Sequence, residues 1–135
     1  MKDSAIHNKV WGKELWIVNN DLYCGKLLYL DFGAYCSYHY HARKDETFYI
    51  LKGEVALIVN ENVERTLKIL KRGDSYRLKP FTPHKFIGLR KSIILEISTQ
   101  HFEYDSYRRT SSGRLSLWKK FLLLIKRNRS WLLEI

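Results

Sequence analysis

Between residues 14 and 98 turn-forming residues interrupt this chain about every ten positions, a spacing that leaves room for short strands and none for long helices. The interruptions are Asn19-Asn20-Asp21, Lys52-Gly53, Asn60-Glu61-Asn62, Arg72-Gly73-Asp74 and the loop bounded by Pro80 and Pro83, all residue types that favour turns. The runs between them are rich in Tyr, Phe, Val and Ile, which suit a pleated surface. Strands are expected at residues 14–18, 22–31, 35–41, 47–52, 55–60, 64–70, 75–79, 84–89 and 92–98. Many short strands at even spacing make an all-β sandwich or barrel, and 135 residues make one domain.

The pattern changes near residue 109, so the expected division is a barrel at residues 1–108 and a tail at 109–135. Of the net charge of +10, the first part holds 17 basic against 13 acidic residues and the tail 7 basic against Glu134 alone. Thr110-Ser111-Ser112-Gly113 reads as a linker. After it, Leu115, Trp118, Phe121, Leu122, Ile125 and Leu132 fall on one side of a helical wheel. Lys119, Lys120, Lys126 and Arg127 fall on the other, where Leu123 interrupts them. This is a basic amphipathic helix. It is expected to pack on the barrel or a second subunit, to contact a membrane surface peripherally, or to enter a partner's groove. A nucleic-acid partner is not expected. Two cysteines, Cys24 and Cys36, make no disulfide framework. No apolar leader follows Met1, and the apolar stretch 121–125 is too short to span a bilayer. A cytoplasmic setting with free thiols is therefore expected.

Chemistry concentrates in two stretches. In the first, His39 and His41 are two apart on a strand and so share a face, while Glu46 opens the next strand beside them. Two neutral imidazoles and a carboxylate with open positions suit a first-row divalent metal. In the second, a loop ending at Pro83 delivers His84 to a neighbouring strand, where a third imidazole would complete the set. His7 and His101 have no such company and read as ordinary residues.

Residues 33–53 match the first cupin motif, G-x5-H-x-H-x4-E-x6-G, at every spacing. Residues 73–84 resemble the second, in its G-D-x5-P-x-T-P-H form. They depart from it at Lys79, where Pro is common, and at Phe81, where the family usually has Gly; Phe81 is expected in an ordinary backbone conformation. The resemblance implies a jelly-roll β-barrel, often a homodimer. It places a divalent transition metal (Zn, Mn, Fe or Ni) on His39, His41, Glu46 and His84. Trp11-Gly12, Lys26, Glu96 and the segment Phe102-Glu103-Tyr104-Asp105-Ser106-Tyr107-Arg108 further resemble the cupin domain of type II mannose-6-phosphate isomerases, although that family commonly has Gln at the position of His39.

The finer resemblance implies an isomerase or epimerase acting on a sugar phosphate or nucleotide sugar. The metal would polarise a carbonyl while a base moves a proton between neighbouring carbons. Glu96, a polar residue in an apolar strand, is the expected base, lining the cavity or else facing solvent. Lys26 and Arg77 are the expected phosphate-binding cations, if they are not surface cations. Tyr35 and Ser37, sharing the face of His39, are expected to line the pocket, with Tyr35, Phe48 and Phe86 alternatively in the core. The same ligand set equally suits an Fe(II) dioxygenase, and one barrel can also serve as a non-catalytic module that binds a small molecule.

Overall fold

The computed structural model describes residues 5–135. Two antiparallel sheets face each other. The first runs in the order β1 (Ile6–Lys9), β2 (Gly12–Asn19), β3 (Cys24–Leu30), β11 (Ser92–Ser98), β6 (Glu46–Lys52) and β9 (Ser75–Leu78). In the second, β10 (His84–Gly88) pairs along one edge with β7 (Glu54–Val59), which pairs with β8 (Thr66–Lys71). Along its other edge lie β4 (Ala34–Tyr35) and then β5 (His39–Tyr40). These pair in turn with β13 (Gly113–Arg114) and β12 (Tyr107–Arg108). Burial alternates along β3 as period-2 geometry requires. Trp11, Leu28, Leu30, Phe48, Ile50, Leu57, Phe86 and Ile94 fill the space between the sheets. Gly53 turns β6 into β7 at φ 89°, and a Cβ there would lie 2.6 Å from the Lys91 carbonyl. Only glycine meets both demands.

The strand expected at 35–41 is two short strands, because one residue is inserted in the ladder. Three steps along β10, from Ile87 to His84, are matched by four on the opposite side, from Tyr35 to His39. That is a β-bulge, and it reverses the alternation of faces. Tyr35 therefore packs on the outer side of the second sheet with Phe32, while Cys36 joins the inner core. The bulge leaves backbone amides without ladder partners. Two hydroxyls replace them: Ser112 Oγ accepts from Ser37 N at 3.0 Å, and Thr110 Oγ1 accepts from Tyr38 N at 2.8 Å. The segment read as a linker thus completes the backbone bonding of the strand that carries His39.

Residues 109–135 fold back over the outer face of the second sheet. Leu115, Leu123 and Leu132 are buried there against Tyr38, Ala56, Ile58, Ile87 and Leu89. Helix α1 (Leu117–Ile125) is capped by Ser116, and a short 3₁₀ helix follows at Ser130–Glu134. Arg129 bonds Glu54 at 2.9 Å, and Lys85 donates to the Ile135 carbonyl at 2.9 Å. The helix is shorter than its sequence pattern suggests, and it faces the other way. Leu123, which interrupts the polar side of the wheel, is the residue that packs. Trp118, Phe121 and Ile125 are exposed. Cys24 and Cys36 are free and buried. Among the described residues no helix is long and apolar enough to cross a membrane.

Candidate metal centre

Strand β5 and its continuation carry His39 and His41, β6 begins at Glu46, and β10 begins at His84, directly opposite His39. The three histidines offer ligand atoms that all lie within 4.8 Å of one another. Glu46 Oε2 is 3.3 Å from His41 Nε2, and Glu46 Oε1 is 3.9 Å from His84 Nε2. His41, Glu46 and His84 are buried, and His39 is half-buried.

Each imidazole is oriented by a backbone carbonyl. His39 Nδ1 donates to Ser37 O at 2.7 Å, His41 Nδ1 to Asp105 O at 2.7 Å and His84 Nδ1 to Thr82 O at 2.9 Å. A carbonyl only accepts, so Nδ1 carries the proton in all three and each Nε2 presents a lone pair. His84 Nε2 and Glu46 Oε2 are buried without a hydrogen-bond partner. Leaving such atoms unpaired costs about 1–3 kcal/mol each. Converging imidazole lone pairs beside a buried carboxylate suit a divalent cation.

Phe81 corrects the expectation for its loop. It has φ 65°, the left-handed conformation that its usual counterpart, glycine, adopts freely. Its amide donates to the His41 carbonyl at 2.7 Å, which ties the loop before His84 to the strand of His41. The loop keeps its shape at a cost of about 1–3 kcal/mol in local strain.

Burial holds the imidazoles neutral: His39 is lowered to about 4, His41 to about 3, and His84 well below the usual value. Burial likewise raises the Glu46 carboxyl to about 8, although Lys44 beside it pulls the other way. Without metal, the unfolded chain therefore binds histidine protons that the folded chain refuses from pH 6.5 down to about 3–4. The folded chain in turn keeps a Glu46 proton between pH 4.5 and about 8 that the unfolded chain releases. Stability contributed by the histidines is present above pH 6.5 and lost as pH falls. That from Glu46 is present below pH 4.5 and lost as pH rises through about 8. Metal-free protein is expected to be most stable near about pH 6.5, falling by up to about 1.4 kcal/mol per pH unit for each net proton on either side. Thermal melts in chelator across pH 4–9 check this.

The donors open on a cavity of about 310 Å³ between the sheets, lined also by Lys26, Ser37, Lys44, Glu96, His101 and Arg108. Glu96 faces the cavity and not solvent, and is buried. Lys44 Nζ lies 3.2 Å from Glu96 Oε2 and 3.6 Å from Glu46 Oε2, bridging the two carboxylates. Burial would raise the Glu96 carboxyl, but Lys44 and Lys26 outweigh it and hold it down to about 2. Lys26 is buried over the Trp16 ring, 3.6 Å from Glu14 Oε1. Two expected pocket residues are elsewhere. Tyr35 lies on the outer face because of the bulge. Arg77 is on the surface, paired with Asp45 at 2.6 Å.

Three residues of the site escaped the sequence reading. Lys44 sits two positions before Glu46, a spacing that would have flagged a shared face. His101, read as ordinary, lines the cavity with Nδ1 3.2 Å from Lys44 Nζ. Asp105 is buried and accepts from the amides of Ala42, Arg43 and Lys44 at 2.8–3.2 Å, while its carbonyl orients His41. In the sequence it stands only as part of the segment 102–108 that resembles the isomerase family, with no role of its own.

A family model described as a cupin domain matches residues 27–95. Among solved structures, KdgF from Halomonas sp. superposes with a TM-score of 0.61 at 17% identity, over 68% of this chain and 82% of that one. The capsular polysaccharide assembling protein CapF from Staphylococcus aureus gives 0.67 at 13% identity, over 76% and 33%. Oxalate decarboxylase from Bacillus subtilis gives 0.67 at 17% identity, over 78% and 30%. At these identities the likeness concerns the fold, and the chain spans about a third of the length of the last two. No curated protein matches the chain.

Proposed function

The chain belongs to the cupin family, and from that premise we propose that it is a metal-dependent enzyme moving a proton on a sugar phosphate or nucleotide sugar, as an isomerase or epimerase. One observation carries the reading: the three imidazoles and the orphaned Glu46 oxygen open on a cavity that also buries Lys26, Lys44 and Glu96. Buried charges cost free energy and are not needed to close a β-barrel whose core is otherwise apolar. They suit a polar, anionic substrate.

His39, His41, Glu46 and His84 would hold the metal. Bound there, a divalent ion supplies Lewis-acid polarisation of a substrate carbonyl or hydroxyl. Lys26 and Lys44 give the cavity the charge to receive an anionic group. Glu96 is the proton acceptor. Paired with two lysines it is a weak base, and a substrate anion that takes either lysine as its partner loosens that pairing and raises its basicity toward the working range. Ser37 and Arg108 line the cavity wall; in this reading the Ser37 hydroxyl bonds a substrate hydroxyl and the Arg108 guanidinium donates to phosphate.

A panel of sugar phosphates and nucleotide sugars, read by thermal shift with metal present, tests the reading. A true ligand at a hundredfold excess over Kd stabilises by about 2.7 kcal/mol, and a flat panel counts against it. With a substrate in hand, Glu96→Gln is expected to lower kcat roughly 100- to 10,000-fold while metal content stays unchanged. Turnover that requires iron and oxygen would make the chain a dioxygenase instead. Ligand binding indifferent to His39→Ala would make it a binding module.

A further inference from the structure

Five large apolar side chains of α1 have no cover. Leu117 is 84%, Trp118 65%, Phe121 47%, Leu124 69% and Ile125 57% exposed. At 3.6 residues per turn they fall in a single arc about 120° wide. Leu123, which seats the helix on the barrel, points away from that arc. The Trp118 and Phe121 rings stack, centroids 5.7 Å apart, and form one apolar plate. Folded soluble proteins rarely leave a contiguous patch of this kind without a partner.

The charge around the patch indicates what the partner is. Lys120 lies about 40° beyond one edge of the arc, Lys119 is on the opposite side of the helix, and Lys126 and Arg127 follow the helix directly. Residues 109–133 hold seven basic side chains and no acidic one. Arg114 and Arg129 are committed to Asp31 and Glu54. Among the described residues, Lys119, Lys120, Lys126 and Arg127 have no carboxylate partner. A second copy brought face to face would set like charges against each other. A bilayer surface of anionic lipid offers both what the arc lacks, an apolar layer, and what the rim lacks, negative charge.

We propose that this outward face of α1 docks the protein on an anionic lipid surface. Trp118, Phe121, Leu117, Leu124 and Ile125 enter the boundary between headgroups and acyl chains, and Lys120, Lys126 and Arg127 sit on lipid phosphates. The geometry leaves the barrel free, because the docking side chains are not those that hold the tail to the second sheet.

The test is co-sedimentation of the full chain with vesicles of phosphatidylcholine alone and of phosphatidylcholine mixed with phosphatidylglycerol. Binding to the mixed vesicles, weakened by salt and at least about tenfold weaker on the neutral ones, is expected. Trp118→Ser with Phe121→Ser should abolish it. Lys126→Ala with Arg127→Ala should weaken it about twentyfold. All four positions are exposed, so melting temperature should be unchanged in both variants. No binding to anionic vesicles at low salt overturns the proposal, as does equal binding by the Trp118/Phe121 variant. A concentration-dependent dimer that the same variant turns into a monomer also overturns it, and assigns the face to a second copy.

Discussion

Replacing His41 and His84 together with alanine is expected to empty the metal site, taking bound metal from stoichiometric to background by elemental analysis of purified protein. Two of the three imidazoles disappear, and Glu46 with half-buried His39 cannot hold a first-row ion against chelator. The thermal signature should be as large. Metal at a hundredfold excess over Kd stabilises the folded state by about 2.7 kcal/mol. For a domain of this size that is on the order of 10 °C in melting temperature. The native protein should lose that increment in chelator, and the variant should show no difference between metal and chelator. Metal affinity should also rise with pH through about 8, because an incoming ion must displace the Glu46 proton. Equal metal content in native protein and variant would remove the site from the functional reading.

Leu132→Ala is expected to cost about 2–5 kcal/mol, read by denaturant unfolding. Leu132 is completely buried in the second apolar cluster, at the far end of the tail. Its removal leaves a cavity within that cluster, where the paired strands β7, β8 and β10 limit collapse. Leu124→Ala, on the outward face of the same tail, should change stability by no more than about 0.5 kcal/mol. The contrast separates the tail's two jobs: one face adheres to the barrel and the other has nothing of its own chain to adhere to. Equal effects of the two changes would mean that the tail does not pack as described.

The strand pattern was legible because one buried face per strand imposes alternation, and because glycine, asparagine and proline mark most of its turns. The nearness of His39, His41 and Glu46 followed from a period of two and a tight connection, while His84, distant in sequence, joined them through the motif resemblance. Tyr35 was misplaced because a one-residue insertion in a ladder has no local sequence mark and reverses every face beyond it. Arg77 was misplaced because a cation on an edge strand reads the same whether it points to a cavity or to Asp45. The helix was turned around for a different reason. Between Leu117 and Ile125 only Lys119 and Lys120 are polar, so both faces are apolar, and tertiary contact rather than amphipathicity decides which one is covered. Phe81 shows the reverse case, in which a position keeps its backbone shape after its residue type stops favouring it.

Asp105 reaches back to the segment that carries the metal donors, as do Thr110 and Ser112. All four donor residues lie at or before residue 84, yet His41 finds its acceptor only at residue 105, and the amides around His39 find theirs at residues 110 and 112. A fragment ending near residue 100 would hold every ligand but would lack the acceptor that orients His41 and the hydroxyls that bind the amides before His39. The stretch lying outside both motifs therefore completes the centre, and grafting the motifs alone onto another barrel would transfer the four donors without the acceptor that aims His41.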